Sequence, residues 1–324
     1  MAVNFSCDLA GASSALPHFW EHTIGSGHAP LALRADWQAQ MRRSHDELGF
    51  GHVRMHGLLG DDMGTLVGEG DRLFYSFFNA DQIFDFLLSI GMKPFVELSF
   101  MPSILASGDK TVFHYRGNVT PPKDYAQWAM LIRKLVAHWV ERYGLAEVRQ
   151  WFFEVWNEPN LDAFGSGKQE DYFKLYRYTV EAIKSVDSAL KVGGPATAAN
   201  AWIDDFIGFC KQNGLHADFI STHHYPTDAF GTPGADTVTQ LEHAPRSVMK
   251  TQAAKRPIRE IAVAFVINLP FAFMNKYRSV MAFVRGQVSG RSQYIQDTCV
   301  SSSLAVIPGH CAREIRIHEA LSVA

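Results

Sequence analysis

The sequence predicts an α/β chain folded as a (β/α)8 TIM barrel whose last two units are incomplete or aberrant. Three observations carry that expectation. Through the first 256 residues, short β-rich runs alternate with longer segments of helical period, the pattern of repeated βα units and a parallel sheet. An aromatic strand candidate stops at Asn157-Glu158-Pro159, which places polar chemistry at the carboxyl end of a strand. The chain has 324 residues, 47% hydrophobic and only 19% charged, enough for one large core, and a barrel needs roughly 250 residues plus its loops.

Six βα units are legible. The strand candidates are Val3–Leu9, His52–His56, Pro94–Phe100, Trp151–Trp156, Val192–Pro195 and Phe219–His224, each apolar-rich and bounded by turn residues. Between them, Asp36–Leu48, Asn79–Ile90, Asp124–Tyr143, Glu170–Val186 and Ala201–Gln212 repeat apolar residues at helical spacing, several with Asp or Asn near the start. Gly91, Gly144 and Gly214 stand where a helix C-terminal glycine belongs. The expected organisation is a barrel region over residues 1–255 and an atypical C-terminal segment over 256–324, a poor substitute for the last two units. Within that segment Ile258–Asn268 is strand-like and Met274–Arg285 helix-like, but Gly286–Ser303 is polar and weakly patterned. The charge balance also reverses: residues 251–324 hold nine Lys or Arg against four Asp or Glu, while the whole chain holds 30 against 33.

Composition narrows the function. A net charge of -3 and a pI near 6.5 give no broad positive field, so nucleic acid is not an expected partner and a small neutral substrate is. Met1–Gly11 has neither the cationic start nor the apolar core of a secretory signal, and no run of about 18 apolar residues occurs, so a cytoplasmic location away from membranes is expected. Cys7, Cys210, Cys299 and Cys311 are far apart and form no C-x-x-C pair, which reads as buried thiols rather than a zinc or redox site. No cofactor is expected. A poorly covered edge between the sixth and first strands would invite pairing with another chain, so weaker folding cooperativity or homo-oligomerisation is expected.

The chemistry concentrates at strand ends. Pro159 disfavours helix at Glu158 and cannot donate to a ladder, so the strand Trp151–Trp156 must stop there. The aromatic neighbours would desolvate the Glu158 carboxyl and raise its pKa, as a general acid requires; a solvated Glu in an ordinary βα turn is the plainer alternative. Arg54-Met55-His56-Gly57, Glu97 in Phe95-Val96-Glu97-Leu98, and Thr222-His223-His224-Tyr225-Pro226 bring further polar groups to the same rim. Taken singly, His56 or His223 reads equally as a satisfied core histidine, and adjacent side chains alternate, so at most one of His223 and His224 faces inward. Glu97 beside Arg54 reads equally as a buried ion pair. A metal site built from His56, His223 and a carboxylate lacks ligand spacing and is not expected.

With these motifs in view, the sequence resembles family 39 of the glycoside hydrolases, most closely its bacterial β-xylosidases, from about Asn4 to about Lys255. The resemblance rests on Val53-Arg54-Met55-His56-Gly57-Leu58, Lys93-Pro94-Phe95-Val96-Glu97-Leu98, Trp156-Asn157-Glu158-Pro159-Asn160 and Thr222-His223-His224-Tyr225-Pro226, in that order. It implies that Glu158 is the catalytic acid/base, and that His56, Asn157, His223 and Tyr225 bind the sugar. The implied activity is retaining hydrolysis of a β-linked sugar, xylose above others, from the non-reducing end of a short oligosaccharide. A retaining enzyme needs a second carboxylate about 5–5.5 Å from the first. The family carries it in a Thr-Glu-Trp near the end of the seventh strand, and that motif is absent. After Glu242 the carboxylates are Glu260, Asp297, Glu314 and Glu319, with Glu260 near the wrong end of the strand-like Ile258–Asn268. Two expectations follow: a hydrolase impaired by a frameshifted or truncated C-terminal reading, or a catalytically inactive sugar-binding pseudoenzyme.

Overall fold

The computed structural model describes residues 18–69 and 72–224, together with the backbone of two further strands at 262–267 and 303–307. Six parallel strands curl into a half-barrel: β1 (Thr23–His28), β2 (His52–His56), β3 (Lys93–Leu98), β4 (Phe152–Val155), β5 (Lys191–Ala198) and β6 (Phe219–His224), each paired with the next. Backbone pairing continues to β7 (Ala262–Ile267), parallel to β6, and to β8 (Ser303–Ile307), antiparallel to both β7 and β1. A βα repeat does not produce that last orientation, because its crossover returns the chain parallel.

The expected strands β2–β6 are found within a few residues of their predicted limits. The first is a correction. Val3–Leu9 lies outside the described residues, and the strand that pairs with β2 is Thr23–His28. Its sequence, Thr-Ile-Gly-Ser-Gly-His, has no apolar run. Only its first three residues are buried, and the neighbouring strand supplies the partner that its side chains do not advertise.

The helices match the sequence closely: α1 (Ala35–Leu48), α2 (Phe78–Ser89), α3 (Tyr125–Tyr143), α4 (Gln169–Val186) and α5 (Ile203–Gln212). The Asp124 carboxylate accepts from the amides of Ala126 and Gln127, which fixes the start of α3. Gly49, at φ 76°, ends α1 in the left-handed conformation that suits glycine. On α3 the buried set Trp128, Leu131, Ile132, Leu135, Val136 and Trp139 follows the helical period, and Trp128 Nε1 donates to Thr179 Oγ1 on α4 at 2.8 Å. Among the described residues no helix is long and apolar enough to cross a membrane. Cys210 is a buried free thiol, its pKa pushed up to about 12 by burial; Cys7, Cys299 and Cys311 lie outside the described residues.

Two small ribbons interrupt the repeat at its carboxyl rim. Leu66–Glu69 pairs with Arg72–Tyr75, and Thr111–Val112 pairs with Gly117–Asn118 inside the long β3–α3 connection. Lys110 straps that connection to the loop after β4, with its Nζ 2.8 Å from Asp162 Oδ1 and donating to the Gly165 carbonyl at 3.3 Å.

The interior is layered because side chains two apart on a strand share a face. The lowest layer is aromatic. Phe95, Phe152 and Phe219 meet with ring centroids 5.4–5.5 Å apart, and His22 and His52 stack at 4.5 Å against Phe152. Gly193 makes room for it: an added Cβ would overlap the Phe219 carbonyl oxygen and ring. Two residues further along, Arg54, Glu97 and Glu154 form an ionic layer, and above them lies the rim.

The histidine pair sets an acid limit on stability. Burial, then the nearby His52 and Lys191, lower His22 to about 3; burial, with Lys191 and Lys93 in support and the bond to the His22 carbonyl opposing, lowers His52 to about 4. The unfolded chain takes up these protons near the ordinary value of about 6.5, before the folded chain does. Their stabilising contribution is therefore complete above that value and is lost as pH falls toward the folded values. The urea midpoint is expected to drop between about pH 7 and about pH 4.5, and to drop less in the His22→Gln/His52→Gln double variant. Parallel pH curves for the two proteins would remove the histidines as the cause.

Candidate active site

The site forms where β4 ends. Beyond Val155 the chain turns through Trp156 at φ 71° and Glu158 at φ 46°, left-handed conformations that residues with a Cβ adopt only when their surroundings hold them. Here the surroundings are β5 and the loop after β4. Glu158 N donates to the Ala196 carbonyl at 2.8 Å, the Asn160 side chain exchanges two hydrogen bonds with the Ala198 backbone, and Trp156 Nε1 donates to the Phe164 carbonyl at 2.7 Å. Trp156, Glu158 and Asn160 thus clamp the turn, and Glu158 is held at 7% exposure.

Below it, one arginine organises three partners. Arg54 contacts Glu97 Oε2 through Nη1 at 2.7 Å, donates from Nε to Glu154 Oε2 at 2.6 Å, and donates from Nη2 to Asn157 Oδ1 at 3.0 Å. The last bond fixes the Asn157 amide, because its oxygen is committed to Arg54 and its NH2 is left for a ligand. The strand register sets Glu97 beside Glu154, two carboxylates that would repel without the guanidinium between them. Burial pushes the Glu97 carboxyl up, but Arg54, then His56 and Ser99, outweigh it and hold the group below the ordinary value. For Arg54 burial likewise opposes the charge, and Glu154 and Glu97 overcome it and raise the pKa further. His56, from the end of β2, contacts Glu97 Oε2 through Nδ1 at 2.8 Å, and the Ser99 hydroxyl donates to Glu97 Oε1.

The structure therefore brings together four of the five expected site residues. Glu158, Asn157 and His56 lie on one rim, and His223 reaches across from β6 to place Nδ1 2.8 Å from Glu158 Oε1. Tyr225, the fifth, lies outside the described residues, as do the His224 side chain and Glu260. Glu97 is the buried ion-pair partner of Arg54, one of its two expected readings. Glu154 was not anticipated from sequence. Its signal was there: a lone carboxylate two residues from Phe152 in an otherwise apolar strand. Both glutamates have fully enclosed side chains, so neither is offered to a ligand. Among the described residues no group of three or more His, Cys, Asp or Glu is placed to hold a metal ion.

Beside this rim lies a cavity of about 530 Å³, lined by His28, Gly57, Asp62, Phe100, Tyr115 and Arg116 among others. His28 stacks on Tyr115 with centroids 3.6 Å apart, and burial raises the Tyr115 hydroxyl well above its ordinary pKa. Phe113, at φ 61° and 46% exposed, stands between His56 and Phe164 at 6.2 and 5.4 Å, so that an aromatic wall borders the histidine. Such a mixture of apolar faces with a few charged groups suits a small polar ligand.

The family model described as Glycosyl hydrolases family 39 matches residues 4–282. A beta-xylosidase of Caldicellulosiruptor saccharolyticus is 53% identical over 260 residues, which are 79% of this chain and 52% of that protein. A beta-xylosidase of Geobacillus stearothermophilus is 46% identical over 218 residues, 65% of this chain and 43% of the other. Among solved structures, a monomeric beta-xylosidase from Caulobacter crescentus CB15 superposes with a TM-score of 0.68 at 38% identity, covering 77% of this chain and 52% of that one. The chain thus spans about half the length of these relatives.

Proposed function

The chain belongs to glycosyl hydrolases family 39, and from that membership and the setting of Glu158 we propose that it is a retaining glycosidase of β-linked sugars, xylosides first among them. The observation that carries the reading is Glu158 itself, enclosed at the carboxyl end of β4 with its carboxyl 2.8 Å from the His223 ring of β6. In this reading Glu158 protonates the leaving glycosidic oxygen while a second carboxylate attacks the anomeric carbon, and Glu158 then takes a proton from the water that releases the sugar. Asn157, His56 and Tyr225 hold the sugar while His223 lies against Glu158, and Arg54 occupies the Asn157 oxygen so that its NH2 remains for the ligand. The adjoining cavity falls within the range typical of small-molecule sites.

We extend the proposal to the fold. Parallel pairing of β7 with β6 supports a (β/α)8 barrel, and the charge reversal after residue 250 supports a C-terminal segment that replaces its last two units poorly. Reading the other two frames of the gene beyond codon 255 examines the frameshift: without a Thr-Glu-Trp-like strand in either, that explanation is discarded.

A second reading has its own observation. Because the sequence holds no Thr-Glu-Trp, a sugar-binding protein without a nucleophile keeps the same rim. Incubation with a nitrophenyl β-xyloside and with xylobiose separates the two. Release of free xylose is expected for the hydrolase; xylose binding by calorimetry without release selects the binding protein, and neither binding nor release overturns both.

A further inference from the structure

His223 does something that a sugar ligand need not do. Its ring is 2% exposed, and its Nδ1 lies 2.8 Å from Glu158 Oε1. Its other nitrogen, Nε2, is buried with no hydrogen-bond partner among the described residues. A neutral imidazole carries one N–H and one bare nitrogen, and the partner of one fixes the state of the other. If the proton sat on Nε2, a buried donor would go unpaired and the bare Nδ1 would face a carboxylate oxygen, two unfavourable contacts at once. With the proton on Nδ1, a hydrogen bond to the carboxyl forms and only a bare nitrogen is left without a partner.

We propose that His223 is a positioning residue for Glu158, locked in the Nδ1–H tautomer so that it donates to Oε1 and leaves Oε2 as the oxygen that hands over and takes back the proton. The inference rests on the acid/base reading of Glu158 and deepens it. The donation survives both halves of the proposed cycle, since Oε1 accepts whether Oε2 is protonated or not. It also explains why the carboxyl stays aimed despite its place on a left-handed turn: the backbone is fixed by Ala196 of β5, and the side chain is fixed by His223 of β6, the next strand beyond it. His56, by contrast, is spoken for by Glu97 and stays a quarter exposed, the setting of a residue that meets ligand directly.

The tautomer is read without turnover. The full chain is labelled with ¹⁵N-histidine, and the His223 ring signals are assigned by their loss in His223→Gln. The expected spectrum has a protonated Nδ1 and a bare Nε2. The pattern should persist in Glu158→Gln, whose amide oxygen still accepts, and give way to a tautomer mixture in Glu158→Leu. A dominant Nε2–H form in the unmodified chain, or an unchanged spectrum in Glu158→Leu, overturns the proposal. Kinetics supply the functional arm. For xylobiose, His223→Leu should lower kcat by about 10²-fold with little change in KM, the cost of a misaimed catalytic group. His223→Asn, whose side-chain N–H stands near the position of Nδ1, should recover much of the loss. A raised KM with kcat preserved would make His223 a sugar ligand only. Absence of turnover on every xyloside would remove the hydrolase reading, while the ring spectra would still decide the hydrogen bond.

Discussion

In the chain, or in a version with the family's C-terminus restored, whichever turns over xylobiose, Glu158→Gln is expected to lower its cleavage by about 10²–10⁴-fold, the usual worth of a general acid. The amide keeps the shape and can still accept from His223, but it has no proton to give. A nitrophenolate leaving group hardly needs that proton, so formation of the glycosyl-enzyme from a nitrophenyl xyloside should fall far less. Its hydrolysis should slow for both substrates, because the base that activates water is the same lost carboxylate. Azide needs no base and should restore turnover of the nitrophenyl substrate, leaving a β-glycosyl azide. Equal loss of the first step for both substrates, with no rescue, would take the acid/base role away from Glu158.

The other large effect is on stability. Arg54→Met is expected to destabilise the chain by about 3–5 kcal/mol, the range found when one partner is removed from a buried ion pair. Two enclosed carboxylates, Glu97 and Glu154, would be left side by side without a cation, and Asn157 would lose the bond that orients it. The sign with pH follows from Glu97, whose folded pKa is held below its ordinary value. Its contribution is present above the unfolded pKa of about 4.3 and fades as pH falls through the lower folded one. In Arg54→Met the largest influence opposing burial is gone and only His56 and Ser99 remain against it, which favours the protonated acid, so the gap between variant and parent should narrow in acid. Urea midpoints at a series of pH values measure it. Adding Glu97→Gln and Glu154→Gln to Arg54→Met should recover part of the loss at neutral pH, and no recovery would mean that the carboxylates were not its source.

Much of this architecture is legible in the sequence because helices α1–α5 repeat apolar residues at helical spacing and most are flanked by capping or turn residues. Strands β2–β6 are legible for a related reason, being apolar-rich runs broken by turns. β1 escapes because Thr23–His28 is built of small and polar residues, and only the barrel context buries it. The ribbons at the rim escape as well: a two-residue strand such as Thr111–Val112 has no period to detect. For the site, Asn157-Glu158-Pro159 announces itself because proline ends the strand where the proposed acid/base stands. The bond from Arg54 to Asn157 joins residues 103 positions apart, and no local pattern reports such a pair. The family match continues to residue 282, beyond the last motif that could be read by eye.

The ionic layer has a consequence for how this half-barrel can change. Positions 54, 97 and 154 should be coupled: loss of Arg54 strands two carboxylates, whereas replacing either glutamate leaves the guanidinium paired with the other, so the steps that begin at position 54 are the costly ones. Concerted replacement by apolar residues of similar volume is the route that avoids them, and buried ion clusters elsewhere tolerate such exchange. Here that route would also release the Asn157 amide from its fixed orientation. A library that randomises the three codons together and is screened first for folding, then for sugar binding, should therefore yield stable clones that have lost ligand recognition. The two selections pull on the same guanidinium, so an engineer seeking thermostability in this half-barrel should begin on its outer helices.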